Sequence, residues 1–112
     1  MSGQKHQALC NLARIKSDRA LQALSGEMAA RAKILASMEE VRAAQQEAYV
    51  YAAQDITYGA KLGAVEAYSK ATLSQLNAQL TTLDARIATL KAEAAREFGR
   101  VTVLEKLLKE GR

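Results

Sequence analysis

Residues 69–108 read SKATLSQLNAQLTTLDARIATLKAEAAREFGRVTVLEKLL. Within that stretch Ser69, Leu73, Leu76, Leu80, Leu83, Ile87, Leu90, Ala94, Glu97, Val101, Leu104 and Leu108 follow one another in steps that alternate four and three. All but Ser69 and Glu97 are apolar, and extending the register backwards reaches Leu62. Apolar residues at this spacing occupy the a and d positions of a heptad, the pattern of a coiled-coil helix. The stretch therefore predicts a long helix with one narrow apolar seam.

The first half is helical too, with a broader stripe. Leu9, Leu12 and Ile15 open it, and Leu21, Leu24, Met28, Leu35 and Met38 continue it, with Ile34, Val41, Ala48 and Ala52 beside them. A wide stripe containing small residues permits contact with more than one neighbouring helix. Between the halves lies Asp55-Ile56-Thr57-Tyr58-Gly59-Ala60-Lys61-Leu62-Gly63. Glycine is the available helix breaker here, since the chain contains no proline. We therefore expect helix 1 over about 5–56, a turn over about 57–60 and helix 2 over about 61–110, all in one domain.

An antiparallel hairpin turning there brings together residues whose numbers total about 117. Leu9 then faces Leu108, Leu12 faces Leu104, Met28 faces Leu90, Leu35 faces Leu83, Met38 faces Leu80, Val41 faces Leu76, and Ala48 faces Ser69. Glu97 falls at the level of Arg19 and Ala20, where an Arg19–Glu97 pair would fix register; the other reading turns Glu97 out to solvent. The fold class expected is all-α, a long antiparallel two-helix coiled-coil hairpin. One continuous helix through Gly59 and Gly63, dimerised, is the alternative, because two internal glycines cost only about 1 kcal/mol each. The matching of facing residues favours the hairpin. Such a hairpin has surface left over to pair into a four-helix homodimer.

Composition agrees. The 112 residues include four Tyr, one Phe and no Trp, and alanine and leucine dominate the apolar fraction. Such a chain builds a thin seam, not a compact core of large side chains. Net charge is +4, and residues 86–112 carry seven Lys/Arg against four Asp/Glu. Almost every cation has an acidic neighbour, so the charge argues against nucleic acid as the partner despite a pI near 9.4. No apolar run approaches the roughly 20 residues of a membrane span. The N-terminal residues lack the apolar core of a cleaved signal. The single cysteine, Cys10, excludes a disulfide framework and fits a cytoplasmic location.

Catalytic patterns are missing from the sequence. His6 and Cys10 are four residues apart on one helix face, half of a metal site that no other His or Cys completes. Gly59 and Gly63 are not followed by the Lys-Ser/Thr of a phosphate loop. We expect no enzyme, no cofactor, no metal and no small-molecule substrate. The candidate functional residues lie at the two ends instead. All four tyrosines, Tyr49, Tyr51, Tyr58 and Tyr68, fall near the turn, and tyrosine is enriched in interface hot spots. Bulk needed to fill a wider helix separation would place them there equally well. At the other end Arg96 and Arg100 are i, i+4 neighbours, and Leu107 with Leu108 exceeds what one seam needs. Cations there also suit the helix dipole without any partner.

These features resemble the small stalk proteins of the flagellar and type III secretion export apparatus, the FliJ/YscO-like group. The likeness rests on the heptad hairpin, on Gln45-Gln46-Glu47-Ala48-Tyr49 late in helix 1, and on Arg100 followed by Leu104-Glu105-Lys106-Leu107-Leu108. The resemblance implies a cytoplasmic rod that contacts an export ATPase ring, the export gate and escort chaperones. It implies Arg96, Arg100, Lys106 and Leu107 at the ATPase end, and Gln45, Tyr49 and Tyr68 on the gate-facing surface. The competing expectation is a homo-oligomeric coiled-coil scaffold or an export chaperone in another cytosolic assembly, joined through the alanine-rich face of helix 1.

Overall fold

The computed structural model describes residues 2–111. α1 spans Ser2–Gln54, a short 3-10 turn spans Ile56–Tyr58, and α2 spans Gly59–Glu110. The architecture is an all-α antiparallel helical hairpin, with no strand among the described residues. With no proline to interrupt the i to i−4 hydrogen bonds, both halves sustain more than 50 residues of helix.

The turn is built differently from the glycine-broken turn at 57–60. Gly59 is right-handed helical (φ −56°, ψ −33°) and opens α2. The residue that leaves the helix is Asp55, extended at φ −137° and ψ 110°. Its Oδ1 accepts from the Thr57 backbone N–H at 3.0 Å and from the Thr57 hydroxyl at 2.6 Å. This is a side-chain cap: the carboxylate satisfies a donor that the turn would otherwise leave without a partner. The Tyr58 N–H donates to the Asp55 carbonyl at 3.1 Å and closes the turn. No described glycine has positive φ, and at Gly26 and Gly99 an added Cβ would meet nothing within 4 Å.

By its contacts the hairpin divides into two compact units. Unit 1 joins Met1–Met28 to Ala85–Arg112, and unit 2 is Ala29–Asp84. In unit 1, α2 contributes Ile87, Leu90, Ala94, Glu97, Val101, Leu104 and Leu108 to the seam, all buried or half-buried. In unit 2, α2 contributes Ser69, Leu73, Leu76, Leu80 and Leu83 likewise. The heptad read from the sequence is thus the inner face of α2 in each unit.

The inner face of α1 is not the stripe of large residues. In unit 1 it consists of Cys10, Ala13, Ser17, Ala20, Leu24 and Glu27, and in unit 2 of Arg31, Ile34, Met38, Val41, Gln45, Ala48 and Ala52. Each set steps by three and four. Leu9, Leu12, Leu21 and Met28 are about half exposed, between 49% and 51%, and Ile15 and Leu35 also face solvent. Leu9, Leu12, Met28 and Leu35 therefore stand at the margin of the seam and not at its centre, with Leu9 and Leu12 lining a cleft beside Leu104. In contrast, Met38, Val41 and Ala48 lie within the seam, as do Leu80, Leu76 and Ser69. The reason is volume. The a and d positions of α2 carry mostly leucine, isoleucine and valine, and close packing leaves part of the opposite row to small residues, Cys10, Ala13, Ser17 and Ala20 in unit 1 and Ala48 and Ala52 in unit 2.

Two ion pairs join the helices of unit 1: Arg14 to Glu105 at 2.8 Å and Arg86 to Glu27 at 3.4 Å. Arg31 to Asp84, at 2.7 Å, joins those of unit 2. The expected Arg19–Glu97 pair does not form. Glu97 instead accepts from Arg100 on its own helix at 3.1 Å, and its second oxygen is buried without a hydrogen-bond partner. An i, i+3 partner on the same helix is nearer than one across the seam.

Candidate protein-interaction surfaces

Taking Cys10 and Leu73 as heptad position a, positions e and g flank the seam on its two sides. In an antiparallel pair e flanks e and g flanks g. The ion pair between Arg14 and Glu105, both at e, shows this directly.

In unit 1 the g side carries the residues expected to act at the end of α2. Arg96 and Arg100 line one shallow groove with Gly99, Val103 and Leu104. Arg100 also borders a cleft shared with Leu9, Leu12, Ala13, Lys16, Glu97 and Leu104. Leu107, half exposed, occupies the same g row one heptad beyond Arg100, and Lys106 is exposed on the outer surface. The structure therefore gathers Arg96, Arg100 and apolar side chains on one surface, with cations around leucine and valine. Arg19, Lys16 and Arg96 border a further groove with Glu93 and Glu97. Such a surface suits a partner that offers both apolar and acidic groups.

In unit 2 the tyrosines separate. Tyr49 sits at e, where the Glu66 carboxylate raises its pKa above the ordinary phenol range, by hydrogen bonding first, then burial, then charge; Gln45 opposes the shift. Gln45 itself is half-buried in the seam. Tyr68, 72% exposed, lies on the outer surface of α2, so Tyr49 and Tyr68 do not form one cluster. The aromatic pair that does form is Tyr51 with Tyr58, ring centroids 5.7 Å apart, beside Ala44, Glu47, Ala48 and Val65. The sequence places all four tyrosines near the turn but not on one side of the seam or the other. Which side of the seam a residue flanks depends on the α1 register, and that register runs through small residues.

Reasoning from the sequence also missed the e side of unit 1. Leu21 and Met28 on α1, and Phe98 on α2, are exposed there. The signal was present as a seven-residue spacing, Leu21-Met28-Leu35, read instead as part of the helix 1 stripe.

No group of three or more His, Cys, Asp or Glu among the described residues is placed to hold a metal ion. Cys10 is fully buried, while His6 is exposed. No helix among the described residues is long and apolar enough to cross a membrane. Comparison with known proteins finds no matching family model, no matching curated protein and no matching solved structure.

Proposed function

We propose that this chain is a non-enzymatic coiled-coil stalk or adaptor of a flagellar or type III protein export apparatus, acting in the cytoplasm through contacts with the export ATPase ring and the export gate, and with escort chaperones. The observation that carries the reading is the g side of unit 1, where Arg96 and Arg100 share a groove with Val103 and Leu104 and where Leu107 is exposed. A helical hairpin with a cationic, partly apolar surface at one end does its work by differential contact with the states of a partner. Tyr49, beside Glu66 and Gln45, and the exposed Tyr68 are the corresponding candidates for the gate. The test is ATP hydrolysis by the host's export ATPase with and without this protein, together with co-elution of the two. Stimulation that Arg100→Ala weakens supports the reading; unchanged hydrolysis without co-elution removes it.

A second reading, a homo-oligomeric scaffold or export chaperone, is favoured by the large apolar residues that α1 turns outward. ATP hydrolysis and co-elution with the export ATPase separate the two, because the scaffold requires neither.

A further inference from the structure

Leu21 and Phe98 are the largest exposed apolar residues on the e side of unit 1, at 49% and 64% exposure. One contact fixes the rows on which they stand. Arg14 and Glu105 occupy the e rows of α1 and α2 and meet at 2.8 Å. One heptad inward from that pair along the same rows stand Leu21 and Phe98, and one further inward Met28 and Lys91. The e side of unit 1 is therefore a ladder with three levels: a charge pair, an apolar pair, and a methionine level with a lysine. Beside it run Asn11, Asp18 and Ser25 on α1 and Ala88, Ala95 and Thr102 on α2, all exposed, the small ones among them allowing another helix to approach closely.

We propose that a second copy of this chain covers this face. Consider a two-fold axis lying in the contact plane and running along the helices of unit 1. It sets α1 of one copy against α2 of the other, antiparallel and at equal levels. Leu21 then meets Phe98 of the second copy, and the symmetry repeats that contact. Arg14 meets Glu105 of the second copy, so the charges match as well. Met28 meets the apolar stem of Lys91 of the second copy. A face whose rungs pair α1 against α2 in charge and in hydrophobicity is complementary to itself under that operation, as an isologous interface requires.

The surface area points the same way. The chain exposes 8316 Å². A globular monomer of 12.1 kDa exposes roughly 6,000 Å². The excess accommodates the ~800 Å² per partner that an ordinary stable interface covers. In unit 1 the α1 side of the seam offers one leucine, Leu24, beside Cys10, Ala13, Ser17 and Ala20, while Leu21, Met28 and Phe98 remain exposed.

This pairing goes beyond the export reading and does not depend on it. Arg96, Arg100 and Leu107 occupy rows other than e, so they stay outside the pair, and ATPase stimulation is a separate measurement.

The test joins mass to proximity. Light scattering over a wide concentration range is expected to give twice the 12.1 kDa chain mass, and Leu21→Lys with Phe98→Lys is expected to return the mass to one chain. Two single-site variants in a Cys10→Ala background, Leu21→Cys and Phe98→Cys, are then mixed and oxidised. A disulfide joining the two different chains is expected. Leu12→Cys mixed with Val103→Cys, both on the other side of the seam, is the control and is expected to stay unlinked. A monomer mass at every concentration overturns the proposal and leaves the face to a different protein. So does a dimer in which the control pair links as readily as Leu21→Cys with Phe98→Cys.

Discussion

Asp55 caps the chain reversal through Thr57, taking hydrogen bonds from both its backbone N–H and its hydroxyl with one carboxylate oxygen. The Thr57 hydroxyl first, and its N–H second, hold the Asp55 carboxyl below the ordinary carboxylate range. A group whose pKa is lowered on folding adds stability above its unfolded pKa and loses it as pH falls through the folded one. Asp55→Ala is therefore expected to lower the melting temperature at neutral pH, and the gap between variant and parent is expected to close under strongly acidic conditions. Thermal unfolding followed by circular dichroism at the two pH values measures both effects.

Tyr49 shifts in the opposite direction. Its phenol holds its proton to higher pH because Glu66 stands beside it, so the associated stability is complete below the unfolded phenol pKa and is lost as pH rises through the folded one. In a spectrophotometric titration of the four tyrosines, Tyr49→Phe is expected to remove a late-ionising component. Glu66→Gln is expected to move that component to lower pH. Titration curves unchanged by either substitution would refute the assignment.

Gly26 and Gly99 are helical, exposed and surrounded by open space. Alanine at either position restricts the unfolded chain and meets no obstacle in the folded one, so each substitution is expected to stabilise by about 0.5–1 kcal/mol. Urea denaturation should show a higher midpoint at constant slope.

Ile87 and Ile15 differ in everything but side chain. Ile87 is 6% exposed in the seam of unit 1, and Ile15 is half exposed on the outer surface of α1. Ile87→Ala is expected to cost about 2–5 kcal/mol, from lost burial and the cavity left behind. Ile15→Ala should fall within about 0.5 kcal/mol of the parent. Urea unfolding of the two variants side by side decides whether the seam has been placed on the correct rows.

The contrast between these two isoleucines shows what was legible from the sequence. The α2 seam could be read because its large apolar residues fall on one strict heptad; from Ser69 to Leu108 every member proves buried or half-buried. The α1 seam could not be read the same way. Its a and d positions hold cysteine, alanine, serine, glutamate, arginine and glutamine among a few large residues, and ranking by hydrophobicity selects Leu9, Leu12, Leu21 and Met28, which lie outside. Packing rewards complementary volume, so a row of leucines on one helix calls for small partners on the other. The turn was misread for a related reason: glycine permits a break, but here Asp55 supplies the hydrogen bonds that a break requires, and Gly59 joins the helix. Arg96 and Arg100 were placed together correctly because i, i+4 spacing on one helix needs no knowledge of the other. Tyr49 and Tyr68 were not, because their relation depends on the α1 register.

A chain that reverses only once forms its contacts in a definite order. The Asp55–Thr57 cap closes the shortest loop, and each later seam level closes a longer one, at an entropic cost that rises with the logarithm of its length. The Arg14–Glu105 pair closes over 91 residues. Loop-closure entropy therefore favours contacts near the reversal over those that close longer loops, and during synthesis α1 is made before any residue of α2 exists to meet it. The half-exposed Leu9, Leu12, Leu21 and Met28 are thus uncovered as they emerge, and closing the hairpin does not by itself cover them.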